Sequence, residues 1–392
     1  MSHNHYDFVS MPSAGVQAGP APAVTIRHIE VVQTIQDEEN SIPLIANKST
    51  VLRLYLDGTG SGVTGEIAWS NNGGSESFLA ALNKIELRPS AAEPLMAQRH
   101  DLSKSLNFLI PAGGTSSGKL KIRVTRIFAS AVGNLPLMNP GSLSASFVDS
   151  APLRVRVIGL RYLDAAGTSF SPDAVHFAYL HSYLQRAYPV AQVEWSQIVV
   201  DANFKAPFNA DTVLRANAQV AAIRSREVSS GIDMRTHYYG LVSDGNGANF
   251  MRGRAFDIPG VPRPDVVASG PAGMPRGFAG DQDLSYADWY GAHELGHTFG
   301  RFHPGFPVGA QDASDPDFPY PDGLINKPGL SLVGFDVGDG QLALPMVALS
   351  GESHHDIMTY AENQWVSAYT YLAIMNRIQA EQALGSDPEG EF

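Results

Sequence analysis

Apolar and polar positions alternate through the first third of the chain, and this alternation predicts short β-strands. In one such stretch Leu52, Leu54 and Leu56 fall on one face, while the residues between them fall on the other. Turn-forming pairs such as Asp57-Gly58 separate the stretches. We expect strands at residues 24–32, 50–56, 63–69, 85–87, 106–110 and 120–127. Because no amphipathic helix interrupts them, residues 24–150 are predicted to form an antiparallel β-sandwich, immunoglobulin-like in architecture.

Near residue 150 the pattern changes, and predicted strands begin to alternate with predicted helices. One helix begins at Ser171-Pro172-Asp173, a second at Asn209 and a last one at Ser367, each followed by an apolar stripe at helical spacing. Strands are expected at residues 153–157, 193–200, 236–243, 249–256 and 265–269. Residues 151–385 are therefore predicted to form an α/β domain with a mostly parallel sheet. Residues 1–23 and 386–392 are predicted to be flexible tails.

The sequence HELGHTFGRFH at residues 293–303 carries the strongest chemical signal. On a helix, His293 and His297 project from one face and could hold a single Zn²⁺ ion. Glu294 stands beside the first of them, within reach of a water molecule on the metal. Gly300 can adopt positive φ, so the helix can end there and the chain can turn. That turn would bring His303 back as a third ligand and leave one coordination position open, as in a catalytic zinc site.

This pattern, H-E-x-x-H-x-x-G-x-x-H, resembles that of the metzincin clan of zinc endopeptidases. The resemblance implies a turn with a methionine beneath the metal, the Met-turn, and Met358 with Tyr360 two residues later matches the astacin-like and serralysin-like branches. It implies that Tyr360 is a displaceable metal ligand and that Glu294 is the general base for a zinc-bound water. Pro304-Gly305 after the third histidine also looks like serralysins, but the Gly- and Asp-rich calcium repeats of that branch are absent. The branch therefore stays open.

The expected function is that of a zinc endopeptidase acting on a protein or peptide substrate, with Glu294 and Tyr360 as catalytic residues. Two alternatives share the zinc ligands: a non-catalytic, zinc-containing adhesin or binding protein, and a zinc hydrolase of a non-peptide amide. Glu294 favours an enzyme, because a purely structural metal site would not need it. We expect the substrate to lie along residues 247–255, as an added strand at the edge of the sheet. A second metal, Ca²⁺, is a further candidate for Asp312, Asp315, Asp317 and Asp322.

Composition narrows the class of partner. The 392 residues suggest two or three domains, and their formal charge of −12 argues against a nucleic-acid partner. A long uninterrupted apolar run is absent, which argues against a transmembrane segment. The chain contains 0 cysteines, so disulfides and a cysteine-switch propeptide are both excluded. The acidic charge suits a secreted, extracellular protein, although residues 1–23 lack the basic start and apolar stretch of a signal peptide.

Overall fold

The chain is mostly β, with several sheets and a few helices, which is consistent with a multidomain α/β protein. The computed structural model describes residues 23–89, 93–139, 141–247, 251–275, 283–311 and 315–385. The predicted tails lie outside these residues, apart from Ala23. Within the described part, none of the helices has the length and apolar character needed to cross a membrane.

The described part of the chain up to residue 148 forms short strands, as its alternating pattern predicts, and one short α-helix that the pattern does not predict. The strands are β1 (Thr25–Val32), β2 (Ile35–Gln36), β3 (Leu44–Ile45), β4 (Thr50–Asp57), β5 (Gly60–Asn71), β6 (Ser77–Ala80), β7 (Ile85–Leu87), β8 (Leu106–Ile110), β9 (Gly118–Ala129), β10 (Gly133–Leu135) and β11 (Ser142–Val148); the helix is α1 (Leu95–Arg99). They form a three-stranded sheet in the order β1-β4-β8 and a seven-stranded sheet built on β3-β11-β9-β5-β6. Side chains from both sheets fill one apolar core.

Strand β4 is buried on both of its faces, whereas its sequence predicts one buried face. Leu52, Leu54 and Leu56 point into the core between the two sheets. Arg53 on the opposite face is also buried, and its guanidinium carbon lies 5.4 Å from the ring centre of Phe335, a residue from the second half of the chain. The outer face of this sheet is therefore covered by a distant segment that local alternation cannot reveal.

From Leu153 onward, strands alternate with helices around a six-stranded sheet. The strands of this half are β12 (Leu153–Leu163), β13 (Ser169–Phe170), β14 (Val193–Asp201), β15 (His237–Ser243), β16 (Arg254–Ala255), β17 (Ala268–Ala272), β18 (Val333–Asp336), β19 (Val347–Leu349), β20 (His355–Asp356) and β21 (Gln364–Trp365). The helices are α2 (Ala174–Ala187), α3 (Ala210–Ser229), α4 (Ala287–Thr298) and α5 (Ala368–Glu381). Strands β14, β12, β15 and β17 run parallel, and β13 and β16 are antiparallel to their neighbours. Helices α2, α4 and α5 contribute to the core on one face of the sheet, and α3 covers the other.

Two predicted helix N-caps in this half of the chain are confirmed. Asn209 caps α3, because its side chain accepts hydrogen bonds from the backbone of Asp211 and Thr212. Ser367 caps α5 through the backbone N–H of Thr370. Helix α2, in contrast, begins after Asp173 and not after Ser171, two residues later than predicted.

The strand predicted at residues 249–256 is largely wrong. Only β16 is present there, and residues 248–250 lie outside the described part of the chain. The antiparallel partner of β16 is β17, which separates it from β15, whereas the expected reversal placed it directly beside β15. The strand predicted at residues 265–269 begins later, at Ala268. The antiparallel edge therefore exists, but it is short and borders a different strand.

The two halves of the chain are joined by a shared core and by hydrogen bonds. Ile35, Ile42 and Ile45 belong to the same apolar cluster as α2, α4 and α5. Strand β2 pairs with β18 in antiparallel register. The predicted boundary near residue 150 thus marks a change of strand and helix pattern, while side chains from both sides of it pack together.

Candidate metal centre

Helix α4 carries the first part of the site, and every one of its residues is buried. Two glycines allow neighbouring side chains to approach this helix closely. A Cβ at Gly296 would lie 2.5 Å from Sδ of Met358, and one at Gly291 would lie 2.5 Å from a methyl carbon of Leu180. A glycine inside a helix costs about 1 kcal/mol relative to alanine. The sequence led us to expect a backbone against Gly296; the structure places the Met358 side chain there instead.

The chain turns sharply after α4, and the turn carries the third histidine back to the helix. Gly300 has φ +79°, a conformation that glycine adopts without steric cost. The backbone N–H of Gly300 donates to the carbonyl of His297 at 2.8 Å, and that of Arg301 donates to the carbonyl of Gly296 at 3.1 Å. These bonds satisfy the terminal carbonyls of the helix, as in other glycine-ended helices. His303 then lies beside the face that carries His293 and His297.

The Nε2 atoms of the three histidines converge. Nε2 of His303 lies 3.2 Å from that of His293 and 3.1 Å from that of His297. The Nδ1 atoms of His293 and His297 each lie 2.7 Å from a backbone carbonyl, that of Ile357 and that of Arg301. A carbonyl can only accept, so each Nδ1 donates and each Nε2 of these two rings presents its lone pair to the shared centre.

This donor set fits a metal ion. Burial lowers the pKa of His293 well below its usual range, and the neighbouring His297 and His303 lower that pKa further, so the ring is neutral and able to act as a ligand. Zinc bonds of about 2.0–2.1 Å in tetrahedral geometry separate two nitrogen ligands by about 3.3–3.4 Å, close to the spacings seen here. Among the described residues, the triad is the cluster that could hold a metal ion.

The catalytic candidate Glu294 lies on the same helix, beneath the segment that leads into β16. Glu294 is only 3% exposed. A Cβ placed on Gly253 would lie 2.5 Å from its Oε1, and Gly253 has φ +145°. The preceding residue, Arg252, holds its guanidinium carbon 4.9 Å from the ring centre of Tyr360. Arg252 and Gly253 therefore lie beside Tyr360 and Glu294, within residues 247–255, where the sequence leads us to expect the substrate.

The segment with Met358 and Tyr360 lies under and beside the triad. The ring centre of Tyr360 is 4.7 Å from that of His303 and 5.7 Å from that of His293. Asp356 shapes the turn, because its carboxylate accepts from the backbone N–H of Met358 at 2.8 Å. Burial raises the pKa of the Asp356 carboxyl, and the hydrogen bonds that this carboxylate accepts oppose part of that rise. The structure thus brings together all six residues singled out by the sequence motifs: His293, Glu294, His297, His303, Met358 and Tyr360.

A half-buried network behind His303 was not predicted. The guanidinium of Arg301 donates to Asp315 Oδ2 at 3.0 Å, and the Tyr369 hydroxyl donates to the same oxygen at 3.0 Å. The backbone N–H of Asp315 donates to the carbonyl of His303 at 2.5 Å. Arg301 also supplies the carbonyl that orients His297. Asp315 therefore supports two of the three histidines, whereas the sequence offered it as a calcium ligand.

The calcium prediction has no support in the described part of the chain. Asp317 and Asp322 do not join a group that could hold a metal ion, and Asp315 is engaged by Arg301. Asp322 sits at φ +53° in a tight turn. The fourth candidate, Asp312, lies outside the described residues.

No family model matches the sequence, and no curated protein matches it. The argument for function therefore rests on the motif and on the geometry of the site.

Proposed function

We propose that the protein is a zinc-dependent endopeptidase of the metzincin type. In this proposal the N-terminal sheets form an immunoglobulin-like sandwich, and the second half forms a metzincin-like catalytic domain that acts outside the cell. The observation that carries the proposal is that the Nε2 atoms of His293 and His297 lie within 3.2 Å of Nε2 of His303, while helix α4, which bears the first two histidines, also bears Glu294. The buried Met358 against Gly296 adds the second landmark of that clan.

The histidines would hold the zinc ion, and Glu294 would move the proton. When bound, zinc lowers the pKa of a coordinated water toward about 7 and polarises a carbonyl. Glu294 takes the proton of the attacking water and passes it to the leaving amine. Its carboxylate is well suited to this, because it is buried between α4 and Gly253 and thus shielded from bulk solvent.

Tyr360 and the β16 edge would position the substrate. The Tyr360 ring lies beside His293 and His303, and in this proposal its hydroxyl donates a hydrogen bond to the oxyanion that develops on the scissile carbonyl. The segment before β16 passes over Glu294 at Gly253. An extended peptide that runs along this edge would bring its backbone to the metal, as β-strand addition does in other proteins.

The experiment that tests the function compares the wild type with Glu294→Ala. We expect the zinc-loaded wild type to cleave a denatured protein and a chelator to stop the reaction. Glu294→Ala should retain one zinc per chain while cleavage falls by about 10²–10⁴-fold, the usual contribution of a general base. Glu362→Ala, which removes an exposed carboxylate close to the Met-turn, should leave cleavage unchanged.

Two outcomes would reject the proposal. Zinc-loaded wild type that cleaves neither proteins nor a peptide library would favour the binding protein, or the hydrolase of a non-peptide amide. Full activity in zinc-loaded Glu294→Ala would remove Glu294 from the mechanism.

A further inference from the structure

Arg252 occupies a position between the substrate edge and the catalytic tyrosine. It stands one residue before Gly253, the position that abuts Glu294, and its guanidinium carbon lies 4.9 Å from the centre of the Tyr360 ring. Arg252 thus lies within residues 247–255, the segment along which the substrate is proposed to bind, and beside the proposed catalytic tyrosine.

Within the residues that the structure describes, Arg252 lacks the carboxylate partner that four other buried or half-buried arginines have. In the described part of the chain, Arg53 and Arg99 lie against Glu30, Arg186 pairs with Asp336, and Arg301 pairs with Asp315. Among the described residues Arg252 makes no hydrogen bond or ion pair, although it is half-buried. The whole sequence holds 39 acidic against 27 basic side chains, so carboxylates are plentiful.

The position of Arg252 over the Tyr360 ring is compatible with a further partner for its guanidinium. A cation–π contact engages the charge of the guanidinium and uses none of its five N–H donors, which lie in the plane of the group. Two parallel donors of that plane match the two oxygens of a carboxylate, which is the partner that arginine binds most specifically. Partial burial strengthens such a pair relative to one in water.

We propose that Arg252 binds a carboxylate of the substrate and gives the enzyme a preference for peptides with an acidic residue next to the scissile bond. This inference rests on the proposed endopeptidase function and names its substrate class. A substrate carboxylate can come from an Asp or Glu side chain or from the free C-terminus of a short peptide. The side chain is the source we propose, because an endopeptidase cleaves within a chain.

The test uses a peptide that the wild type cleaves. Asp or Asn is placed at each position flanking the scissile bond, and each peptide is made with a free and with an amidated C-terminus. We expect kcat/KM to be at least about tenfold higher for the Asp peptide than for its Asn partner, from a hydrogen bond to a charged group. Arg252→Gln should abolish this difference, and Arg252→Lys should restore part of it. Arg254→Gln removes an exposed arginine of the same edge and should keep the difference.

A binding measurement makes the result independent of catalysis. Fluorescently labelled copies of the same peptides are titrated into zinc-loaded Glu294→Ala, with and without Arg252→Gln. Tighter binding of the Asp peptide that vanishes with Arg252→Gln supports the proposal. Equal binding of the two peptides, a difference that survives Arg252→Gln, or a preference set only by the free C-terminus overturns it.

Kinetics separates this role from a contribution to catalysis itself. If Arg252 only positions Tyr360, then Arg252→Gln should lower kcat to the same extent for Asp and Asn peptides, and the proposal is overturned. If the zinc-loaded wild type cleaves no peptide, the endopeptidase function fails, and the binding comparison alone decides whether Arg252 recognises a carboxylate.

Discussion

Gly253 is the residue whose replacement should separate metal binding from catalysis. A Cβ at this position would lie 2.5 Å from both Cγ and Oε1 of Glu294 and 2.7 Å from its Cδ. The backbone φ of +145° adds strain for any side chain other than glycine, on the order of 1–3 kcal/mol. Gly253→Ala therefore forces the Glu294 carboxylate and the β16 segment apart.

The expected loss of activity follows from the steric overlap between the new methyl group and Glu294. Carbon atoms in favourable contact are about 3.5–4.0 Å apart, so the carboxylate or the segment must move by about 1 Å. A misplacement of this size in a reacting group can cost about 10²-fold in rate. The three atoms nearest to the new methyl group all belong to Glu294, and His293 and His297 are held by their own carbonyl partners, so zinc binding should persist.

The assay measures kcat/KM, zinc content and Tm on the same preparation. We expect Gly253→Ala to contain one zinc per chain and to lose about 10²-fold in kcat/KM, with a modest fall in Tm. Gly260→Ala is the matched control, because a Cβ there meets nothing within 4 Å. A folded, zinc-loaded Gly253→Ala with the activity of the wild type would refute the placement of Glu294 against this segment.

Three further substitutions test the support of the site. Gly296→Ala gains about 1 kcal/mol of helix propensity, but it places a Cβ 2.5 Å from Met358 Sδ, and such overpacking costs about 1–3 kcal/mol. We therefore expect Tm to fall, and adding Met358→Ala should relieve part of that loss. Asp315→Asn should weaken zinc binding by about 10- to 100-fold in a competition with a chelator, because Asp315 holds the loop that carries two ligands. Burial lowers the pKa of Lys48 from 10.5 to about 7. Between pH 7 and 10.5 the unfolded chain therefore binds more protons than the folded chain, so the free energy of unfolding rises with pH in this range. Lys48→Met should remove up to about 3 kcal/mol of the gain in unfolding free energy between pH 7 and 9.5, measured by urea denaturation.

Local sequence signals predicted those elements whose cause is local. The Asn209 cap depends on a side chain and the backbone two and three residues later, and the structure confirms it. The turn at Gly300 depends on the freedom of one glycine, and its positive φ is present. The histidine motif is also local. One helix sets the spacing of four residues between His293 and His297, and one turn sets the spacing of six residues between His297 and His303.

Features that depend on a distant partner could not be predicted in the same way. Burial of Arg53 on the outer face of β4 requires Phe335, which is remote in sequence. The position of β16 depends on pairing with β17, so the tight turn at residues 244–247 gave the wrong bounds and the wrong neighbour. The role of Asp315 was missed for the same reason, since its partners Arg301 and Tyr369 come from other segments.

The N-terminal half takes part in holding helix α4, which carries His293 and His297. Thr34 and Lys48 donate to carbonyls at the end of α2, and the carbonyl of Tyr188 accepts from Lys48 at 3.0 Å. The hydroxyl of the same Tyr188 donates at 2.6 Å to the carbonyl of Ala292, the residue before the first histidine ligand. On the other side of the site, the indole of Trp365 donates to the carbonyl of Thr34 at 2.8 Å. These bonds connect the N-terminal half both to α4 and to the segment after Met358. The N-terminal half therefore helps to support the site, and it does more than precede it in the sequence.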